Sequence, residues 1–431
     1  MVVEEVLASV SSIPDPYLRI VTYGRIGVSL AKSKDPRYEK AFRLALSELA
    51  RIDDPYILLR SLLALAYSTS LAGFKSAKKA FREVMESSKV LPKPLRDSLR
   101  IEAVKYLLAL GEVEEALFYT LEIEDKKARN ETLLAVLKRA LRELSGDKMN
   151  RLYRRRKIQL ILEHVTDEPY RSMAIVETIK AFLSVGEYEK AIHLVETIGN
   201  RHWLKQALRE ILVHLRRSRV GKEYAEKLII LSLNIAKRLG EDIRDDMAFI
   251  FAAYGYPEYS IQLLRGSPKW EERLKEILEM LFKRDMTLLI DYVSALPEDM
   301  LPALKHLMNI ILDEPLGEYK PVVDALVQKE PPQDILTKAT AYYLKVGALP
   351  DAVKVISKIT DERLRSLALG WLAHYLIKVG RISEAVDVVL QIRDRNLAAR
   401  LASEILVRVV EEREKDGIAE PTKEWRKERE A

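Results

Sequence analysis

Apolar residues recur along most of this chain every three or four positions, as on a helix that buries one face. No segment shows the sustained alternation of apolar and polar residues that is typical of a half-buried strand. The pattern therefore predicts an all-α protein. In residues 361–378 it places six apolar side chains on one helical face: Leu364, Leu367, Ala368, Trp371, Leu372 and Tyr375.

One short phrase returns along the sequence: a glycine, four residues and an alanine, then a short apolar stretch and Ile-x-Asp. It is clearest in two successive units, Gly347–Ala352 with Ile359–Asp361 and Gly380–Ala385 with Ile392–Asp394. These units are 33 residues apart, and earlier copies that start at residues 36, 73 and 111 are 37 and 38 apart. Self-similarity at a fixed period is the signature of a solenoid of stacked helices, and we expect about eleven helix pairs.

The repeats predict a continuous solenoid over residues 1–410. Between residues 285 and 330 the pattern is blurred, which indicates a hinge, an inserted element or altered repeats. After residue 410 charged residues dominate, and we expect residues 411–431 to form a frayed or disordered polar tail.

Each repeat is expected to contain a long helix followed by a shorter one. The Asp of the phrase suits the start of the long helix, because its side chain accepts hydrogen bonds from unpaired backbone N–H groups there. The glycine suits the left-handed backbone that closes this helix, and the alanine lets the shorter helix approach closely. The same pattern gives seven expected caps: Asp15, Asp54, Asp125, Asp167, Asn200, Asp361 and Asp394.

The segment Gly186-Glu-Tyr-Glu-Lys-Ala-Ile192 resembles the turn and second-helix start of a tetratricopeptide repeat. The family prefers an aromatic residue four positions before the glycine, where Phe182, Phe251 and Tyr343 stand here. The family's tryptophan in the first helix and proline at the end of the second are absent, so we identify an irregular, tetratricopeptide-like chain. The resemblance implies a right-handed superhelical solenoid of stacked antiparallel helix pairs, which binds a peptide or protein in a concave groove lined by the first helices.

The composition of the 431 residues narrows the classes of function. The chain has no cysteine, which excludes disulfides, cysteine–zinc sites and cysteine nucleophiles. Six Asn and six Gln beside abundant Lys, Arg and Glu are the bias of heat-adapted proteins. The acidic start at Met1-Val-Val-Glu-Glu is unlike an export signal, and no apolar run reaches the length of a membrane span. We therefore expect a cytoplasmic protein that does not enter a membrane.

The sequence carries none of the common catalytic spacings. It has no phosphate-binding glycine loop, no Gly-x-Ser-x-Gly and no His-Glu-x-x-His. No two of its six histidines lie four residues apart, the spacing that would let them share a metal on one helix. We therefore predict a protein that is not an enzyme and has no catalytic residue, metal or cofactor.

Positive charge concentrates in one region of the chain. Residues 141–220 hold 16 Lys and Arg against 10 Asp and Glu, a balance of +6 that equals the net charge of the whole chain. This basic patch could meet phosphate or an acidic partner, or could simply be a solvated surface, which is the more common case. Its residues are Arg151, Arg154, Arg155, Arg156, Lys157, Arg216, Arg217 and Arg219.

Tyrosines give a second candidate surface. Tyr106, Tyr342 and Tyr375 each stand five residues before a repeat glycine. They could line a binding face, although packing between repeats is the more common use of such residues. Tyr153 lies within the basic patch and could stack on a base.

The leading functional hypothesis is a non-enzymatic scaffold or adaptor that binds a protein or peptide partner on the solenoid surface. The alternative is a nucleic-acid-binding solenoid that uses the basic patch within residues 151–219. An enzyme built on a closed ring of helix pairs would need acids and aromatics clustered at one end, and the four tryptophans do not suggest such a cluster. The sequence leaves the identity of the partner and the oligomeric state open.

Overall fold

The computed structural model describes residues 2–74, 77–145 and 151–415. Within these ranges the chain forms α-helices joined by turns and short 310 segments, and no β-strand occurs. The all-α prediction is therefore confirmed. The chain divides into two compact units, residues 1–214 (unit 1) and residues 215–431 (unit 2).

Unit 1 contains eleven described helices and most of a twelfth. They are α1 (Val2–Val10), α2 (Pro16–Lys32), α3 (Tyr38–Leu49), α4 (Pro55–Leu71), α5 (Ala77–Ser87), α6 (Lys93–Leu110), α7 (Val113–Leu121), α8 (Lys126–Arg142), α9 (Arg151–His164), α10 (Tyr170–Ser184), α11 (Tyr188–Glu196) and α12 (Arg201–Arg217).

Unit 2 contains the remaining helices among the described residues. They are α13 (Lys222–Leu239), α14 (Arg244–Ala253), α15 (Pro257–Arg265), α16 (Trp270–Arg284), α17 (Met286–Ala295), α18 (Leu304–Asp313), α19 (Lys320–Gln328), α20 (Gln333–Lys345), α21 (Leu349–Lys358), α22 (Glu362–Lys378), α23 (Ile382–Val389) and α24 (Arg395–Lys415).

The helices pack as a chain of pairs. The even-numbered helices from α2 onwards are called first helices below, and the odd-numbered helices that follow them are called second helices. In unit 1 each of the first helices α2 to α8 packs against the second helix that follows and against the next first helix, and α10 packs against α11. The same pattern holds in unit 2, where α14, α20 and α22 pack against α15, α21 and α23 and first helices from α14 to α24 contact one another in succession. Because each pair contacts mainly its neighbours, the fold is an all-α solenoid.

The predicted turn chemistry is present at most repeats. Asp54, Asp125 and Asp361 each accept a hydrogen bond from the backbone N–H three residues later, at 2.7 to 2.9 Å. At Gly186 and Gly380 the backbone φ is +79° and +77°, the left-handed region that favours glycine at a helix end. The glycines thus end first helices within a pair, and the aspartates begin the first helix of the next pair, as the sequence predicts.

Asp167 corrects the predicted set of caps. Helix α10 begins only at Tyr170, and the residue before it, Pro169, offers no side-chain cap. The Asp167 carboxylate instead accepts a hydrogen bond from Nδ2 of Asn130 at 2.8 Å. Asn130 is buried on α8, so the predicted cap serves as a link between two repeats.

Polar side chains on one first helix hold the segment that leads into the next first helix. Asp97 on α6 is buried, and its carboxylate accepts the backbone N–H groups of Glu124 and Asp125 at 3.0 Å each. In unit 2 the Oε1 atom of Gln333 on α20 accepts the N–H of Thr360 at 2.7 Å. These contacts fix the position of each new repeat on the one before it.

The stretch between residues 285 and 330 is helical but uneven. A 310 segment at Glu298–Ala303 precedes α18, and another at Gly317–Tyr319 precedes α19. Asp285 caps α17 by accepting the N–H of Thr287 at 2.9 Å. At the other end of unit 2, α24 continues to Lys415, beyond the predicted start of the charged tail, and residues 416–431 lie outside the described residues.

Candidate functional site

The unit 1 half of the basic patch lies on α9. Arg154 donates to the carbonyl oxygen of Glu143 at 2.6 Å, and Arg155 forms an ion pair with Glu187. Arg156 is exposed on the same helix, and Arg151 is its first residue, with a side chain outside the described part of the structure.

Lys157 completes this half of the patch. Its Nζ atom lies 3.4 Å from the carboxylate of Glu114 and 3.9 Å from that of Glu143, and 5.1 Å from the centre of the Tyr153 ring. Tyr153 also donates to Glu114 on α7. Tyr153, which the sequence offers for base stacking, thus already contacts a lysine and a glutamate of this chain.

The other half of the patch lies in unit 2. The Nη1 atom of Arg216 lies 2.9 Å from Asp246, and its guanidinium group lies 4.4 Å from the centre of the Phe249 ring. Arg219 donates to the carbonyl oxygen of Arg284, and Arg217 is exposed. Most described cations of the patch therefore have partners within the chain, which the sequence pattern did not reveal.

Exposed apolar residues accompany the cations on α9. Leu152 and Leu160 are 62 % and 46 % exposed. They stand four residues before and after Arg156, so all three lie on one helix face. Phe118 on the neighbouring α7 is exposed as well. This side of unit 1 is therefore both basic and apolar.

A cleft of about 570 Å³ opens beside these residues, between the second helices α9 and α11 and above the first helix α10. We call it the α9–α11 cleft. Its floor is apolar, because buried and half-buried side chains from all three helices meet there. They are Ile158, Leu162, Ile175, Phe182 and Leu194.

The rim of the α9–α11 cleft is mainly basic. Arg155, Arg171, Lys190 and His193 lie around it, against the two carboxylates of Glu163 and Glu189. Burial, and then the charge of Arg155, lowers the pKa of Lys190 below its usual value. A bound anionic group would relieve this effect, because an opposite charge favours the protonated ammonium.

Phe182 shows which sequence signal could have located this cleft. It stands four residues before Gly186, the position where the tetratricopeptide pattern prefers an aromatic residue. Phe251 holds the same position before Gly255 and lines a cleft of about 630 Å³ in unit 2, between α13, α14 and α15. We call this second opening the α13–α15 cleft. The aromatic thus lies at a cleft in two repeats, whereas Tyr343, at the same position before Gly347, is buried and lines neither cleft.

The α13–α15 cleft is also mostly apolar. The rings of Phe251 and Tyr259 lie 5.5 Å apart, and Leu233 and Leu263 add aliphatic surface. On its rim the guanidinium of Arg244 binds both oxygens of Asp242, at 3.0 Å from Nε to Oδ1 and 2.7 Å from Nη2 to Oδ2. Those two charges are therefore largely neutralised.

The predicted tyrosine surface is a packed network. A groove of about 670 Å³ between α4 and α6 includes Tyr106, whose hydroxyl donates to Glu102 at 3.0 Å. Arg60 donates to the same carboxylate at 2.8 Å, and the Tyr67 ring stacks on Tyr106 with centres 4.5 Å apart. Burial and the nearby Glu102 charge raise the pKa of Tyr106 far above its usual value.

Tyr342 has a packing role too. Its ring is fully buried, and its hydroxyl donates to the carbonyl oxygen of Leu316 at 2.6 Å. Tyr375, the third of these residues, is half-buried on α22. Packing between repeats, the alternative given above, accounts for Tyr106 and Tyr342.

Charged side chains on neighbouring first helices pair with each other. Arg60 on α4 meets Glu102 on α6, and Lys180 on α10 lies 3.8 Å from Glu210 on α12. In unit 2 the Nε2 atom of His306 lies 2.6 Å from Glu279. The first-helix side therefore carries ion pairs between its own side chains.

The described residues contain no group of three or more His, Cys, Asp or Glu side chains arranged to hold a metal ion. Across the same ranges, no helix has both the length and the apolar character needed to cross a membrane.

Comparisons with known proteins give little beyond this geometry. No family model matches the sequence, and no curated protein matches it either. The fold is similar to the crystal structure of Ton1535 from Thermococcus onnurineus NA1, at 14 % identity over 93 % of this chain and 94 % of that one, with a TM-score of 0.26. It is also similar to a circular tandem repeat protein with novel repeat topology and enhanced subunit contact surfaces, at 12 % identity over 93 % and 96 %, with a TM-score of 0.19. Both scores are too low to carry an argument.

Proposed function

We propose that this protein is a non-enzymatic scaffold that binds a protein partner through the α9–α11 cleft of unit 1. The observation that carries the proposal is the combination of an open apolar floor, formed around Phe182, with a predominantly basic rim. Clefts of this size with apolar walls and a few charged groups are typical of ligand sites, and a hydrophobic groove of this kind also accepts the apolar face of an amphipathic helix.

The chemistry of the cleft favours an amphipathic acidic helix as the bound segment. Such a helix inserts apolar side chains at every third or fourth position into a groove between helices. Acidic residues on its flanks would face Arg171 and Lys190. Their negative charge would oppose the burial and the Arg155 charge that lower the pKa of Lys190. The exposed Leu152 and Leu160 extend the apolar surface along α9.

The partners of the basic patch weigh against nucleic acid as the main ligand. Arg155 and Lys157 are paired with carboxylates of this chain. A phosphate group would have to compete with those carboxylates for the cations. The charged backbone of a nucleic acid would also make no contact with the apolar floor of the cleft. Nucleic-acid binding is therefore kept as an outcome of the test below.

The tetratricopeptide-like character of the repeats belongs to the same proposal. It is supported by the Gly186–Ile192 segment and by the aromatics at Phe182 and Phe251. The proposed site lies between second helices, and thus differs from the first-helix groove that the resemblance implies.

The test is a pull-down from lysate of the source organism, with and without nuclease treatment, at low and high salt. The cleft variant carries Arg171→Glu and Lys190→Glu, two exposed residues on the rim. The matched control carries Lys283→Glu and Lys354→Glu, two exposed lysines of unit 2.

We expect a stoichiometric protein that the wild type and the control retain and the cleft variant loses. The single variant Leu194→Asp should also lose the partner protein, because that side chain lies on the cleft floor. Equal retention by the cleft variant would contradict the proposed site. Recovery of nucleic acid alone from untreated lysate, lost at high salt, would favour the alternative function.

A further inference from the structure

Helix α13 of unit 2 presents an exposed apolar pair between two opposite charges. Ile230 and Leu233, two large aliphatic side chains one turn apart, are 59 % and 43 % exposed. Glu226 stands one turn before them and Lys237 one turn after, and both are exposed. The spacings of four, three and four residues place all four side chains on one face of the helix. We call this face the α13 stripe.

The α13 stripe is complementary to itself. Reversing the direction of the helix exchanges Glu226 with Lys237 and Ile230 with Leu233. A second α13 that runs antiparallel, related by a twofold axis between residues 231 and 232, therefore places Ile230 against Leu233 of the other copy. The same operation places each Glu226 opposite a Lys237, and every contact occurs twice.

The groups at both ends of the stripe are available for such contacts. The hydroxyl of Tyr256 donates to Oε1 of Glu226 at 2.7 Å, which orients the carboxylate without supplying a positive charge. Lys237, at the other end of the stripe, is exposed to solvent. Both charged side chains of the stripe are therefore accessible to a second copy.

The surface beside the stripe is apolar as well. Leu233 and Lys237 line the α13–α15 cleft, together with the Phe251 ring. Tyr259 stands at this cleft and is 59 % exposed. An Ile230 side chain from a second copy would thus meet an apolar surface that continues from α13 to α15, which a single exposed helix would not offer.

We propose that the protein forms a homodimer through antiparallel packing of the α13 stripes of two copies. The apolar pair supplies the buried contact, and the two Glu226–Lys237 pairs set the antiparallel register. This interface is separate from the α9–α11 cleft, and neither proposal depends on the other.

The test uses charge reversal in the full chain. Glu226→Lys puts two lysines opposite each other at both ends of the interface, and Lys237→Glu puts two glutamates there. Each single variant is expected to weaken self-association at least about tenfold, because two favourable pairs become two repulsive ones. Arg238→Glu is the matched control, since this neighbouring exposed residue points about 100° away from the stripe.

Mixing the two single variants separates specific pairing from a general effect of charge. A Glu226→Lys copy facing a Lys237→Glu copy restores an opposite-charge pair at both ends. Sedimentation equilibrium should therefore show dimers in the wild type, in the Arg238→Glu control and in the equimolar mixture, with each single variant alone shifted towards monomer. The double variant Glu226→Lys with Lys237→Glu should dimerise with itself.

Several results would overturn the proposal. One is a wild-type protein that remains monomeric at about 100 µM, a concentration at which even an interface with a micromolar Kd is mostly formed. Another is single variants that dimerise as well as the wild type, or a mixture that gains nothing over its components. Circular dichroism melting of every variant checks that the helices are intact, and Leu233→Ser provides a second, uncharged route to dissociation.

Discussion

Replacing Asp97 by alanine is expected to loosen the start of α8, although residue 97 lies on α6. The buried carboxylate accepts the N–H groups of Glu124 and Asp125 at 3.0 Å each. It also lies 3.2 Å from Nη1 of Arg100. The substitution removes the acceptor of two backbone donors at once.

The size of the effect follows from those contacts. A hydrogen bond to a charged group contributes about 1.5–3 kcal/mol, and a buried donor without a partner costs about 1–3 kcal/mol. Arg100 keeps its bond to the Glu122 carbonyl oxygen at 2.6 Å, so its guanidinium group is not left without an acceptor. We therefore take about 3 kcal/mol for the whole change, which corresponds to a little over 100-fold in an opening equilibrium.

Hydrogen exchange measures this change directly. The amides of Glu124 and Asp125 should exchange about 100-fold faster in Asp97→Ala, because exchange of protected amides reports local opening. Asp53→Ala is the matched control, since Asp53 is exposed. Unchanged exchange at residues 124 and 125 in the Asp97 variant would refute the role of this carboxylate as an anchor between repeats.

Three further outcomes are expected. Asp361→Ala should lower stability by about 1 kcal/mol in urea unfolding, through loss of its bond to the N–H of Leu364; an unchanged midpoint would contradict the cap. Burial raises the pKa of Tyr342 to about 12. Its contribution to the free energy of unfolding is therefore full below about pH 10 and is lost as the pH rises through 12. Tyr342→Phe should remove that loss when the free energy of unfolding is measured against pH in the alkaline range, and an unaltered dependence would contradict the raised pKa. The Arg244 side chain holds the pKa of Asp242 at about 2, so Arg244→Gln should move the carboxyl midpoint seen by NMR towards about 3.9, and a fixed midpoint would exclude the pairing.

The local parts of the fold could be predicted from the sequence because their causes are local. A cap such as Asp54 and a turn glycine such as Gly186 act within a few residues, and both appear where the pattern places them. Asp167 was assigned wrongly because its hydrogen-bond partner, Asn130, is 37 residues away in the sequence. No periodic pattern of apolar residues contains that information.

The candidate sites were less predictable for the same reason. The sequence identifies Arg155 and Lys157 as cations, but Glu187 and Glu114 reach them only through the packing of separate helices. The α9–α11 cleft depends on how far two second helices stand apart above Phe182, which depends on packing along the whole repeat. The aromatic before the glycine was visible in the sequence, but its partial exposure to a cleft was not.

Three of the links between repeats run forward along the chain. Asp97 and Asn130 hold segments that follow them in sequence, and Gln333 holds Thr360 in the same sense. During synthesis the anchor of each repeat therefore leaves the ribosome before the segment that it receives, and protein domains generally begin to fold from their N-terminal side. At these three places a growing chain can add the next repeat to one that has already folded. A chain that stops between the two segments therefore exposes a polar side chain without its partner, but it does not expose a helix start that lacks its acceptor.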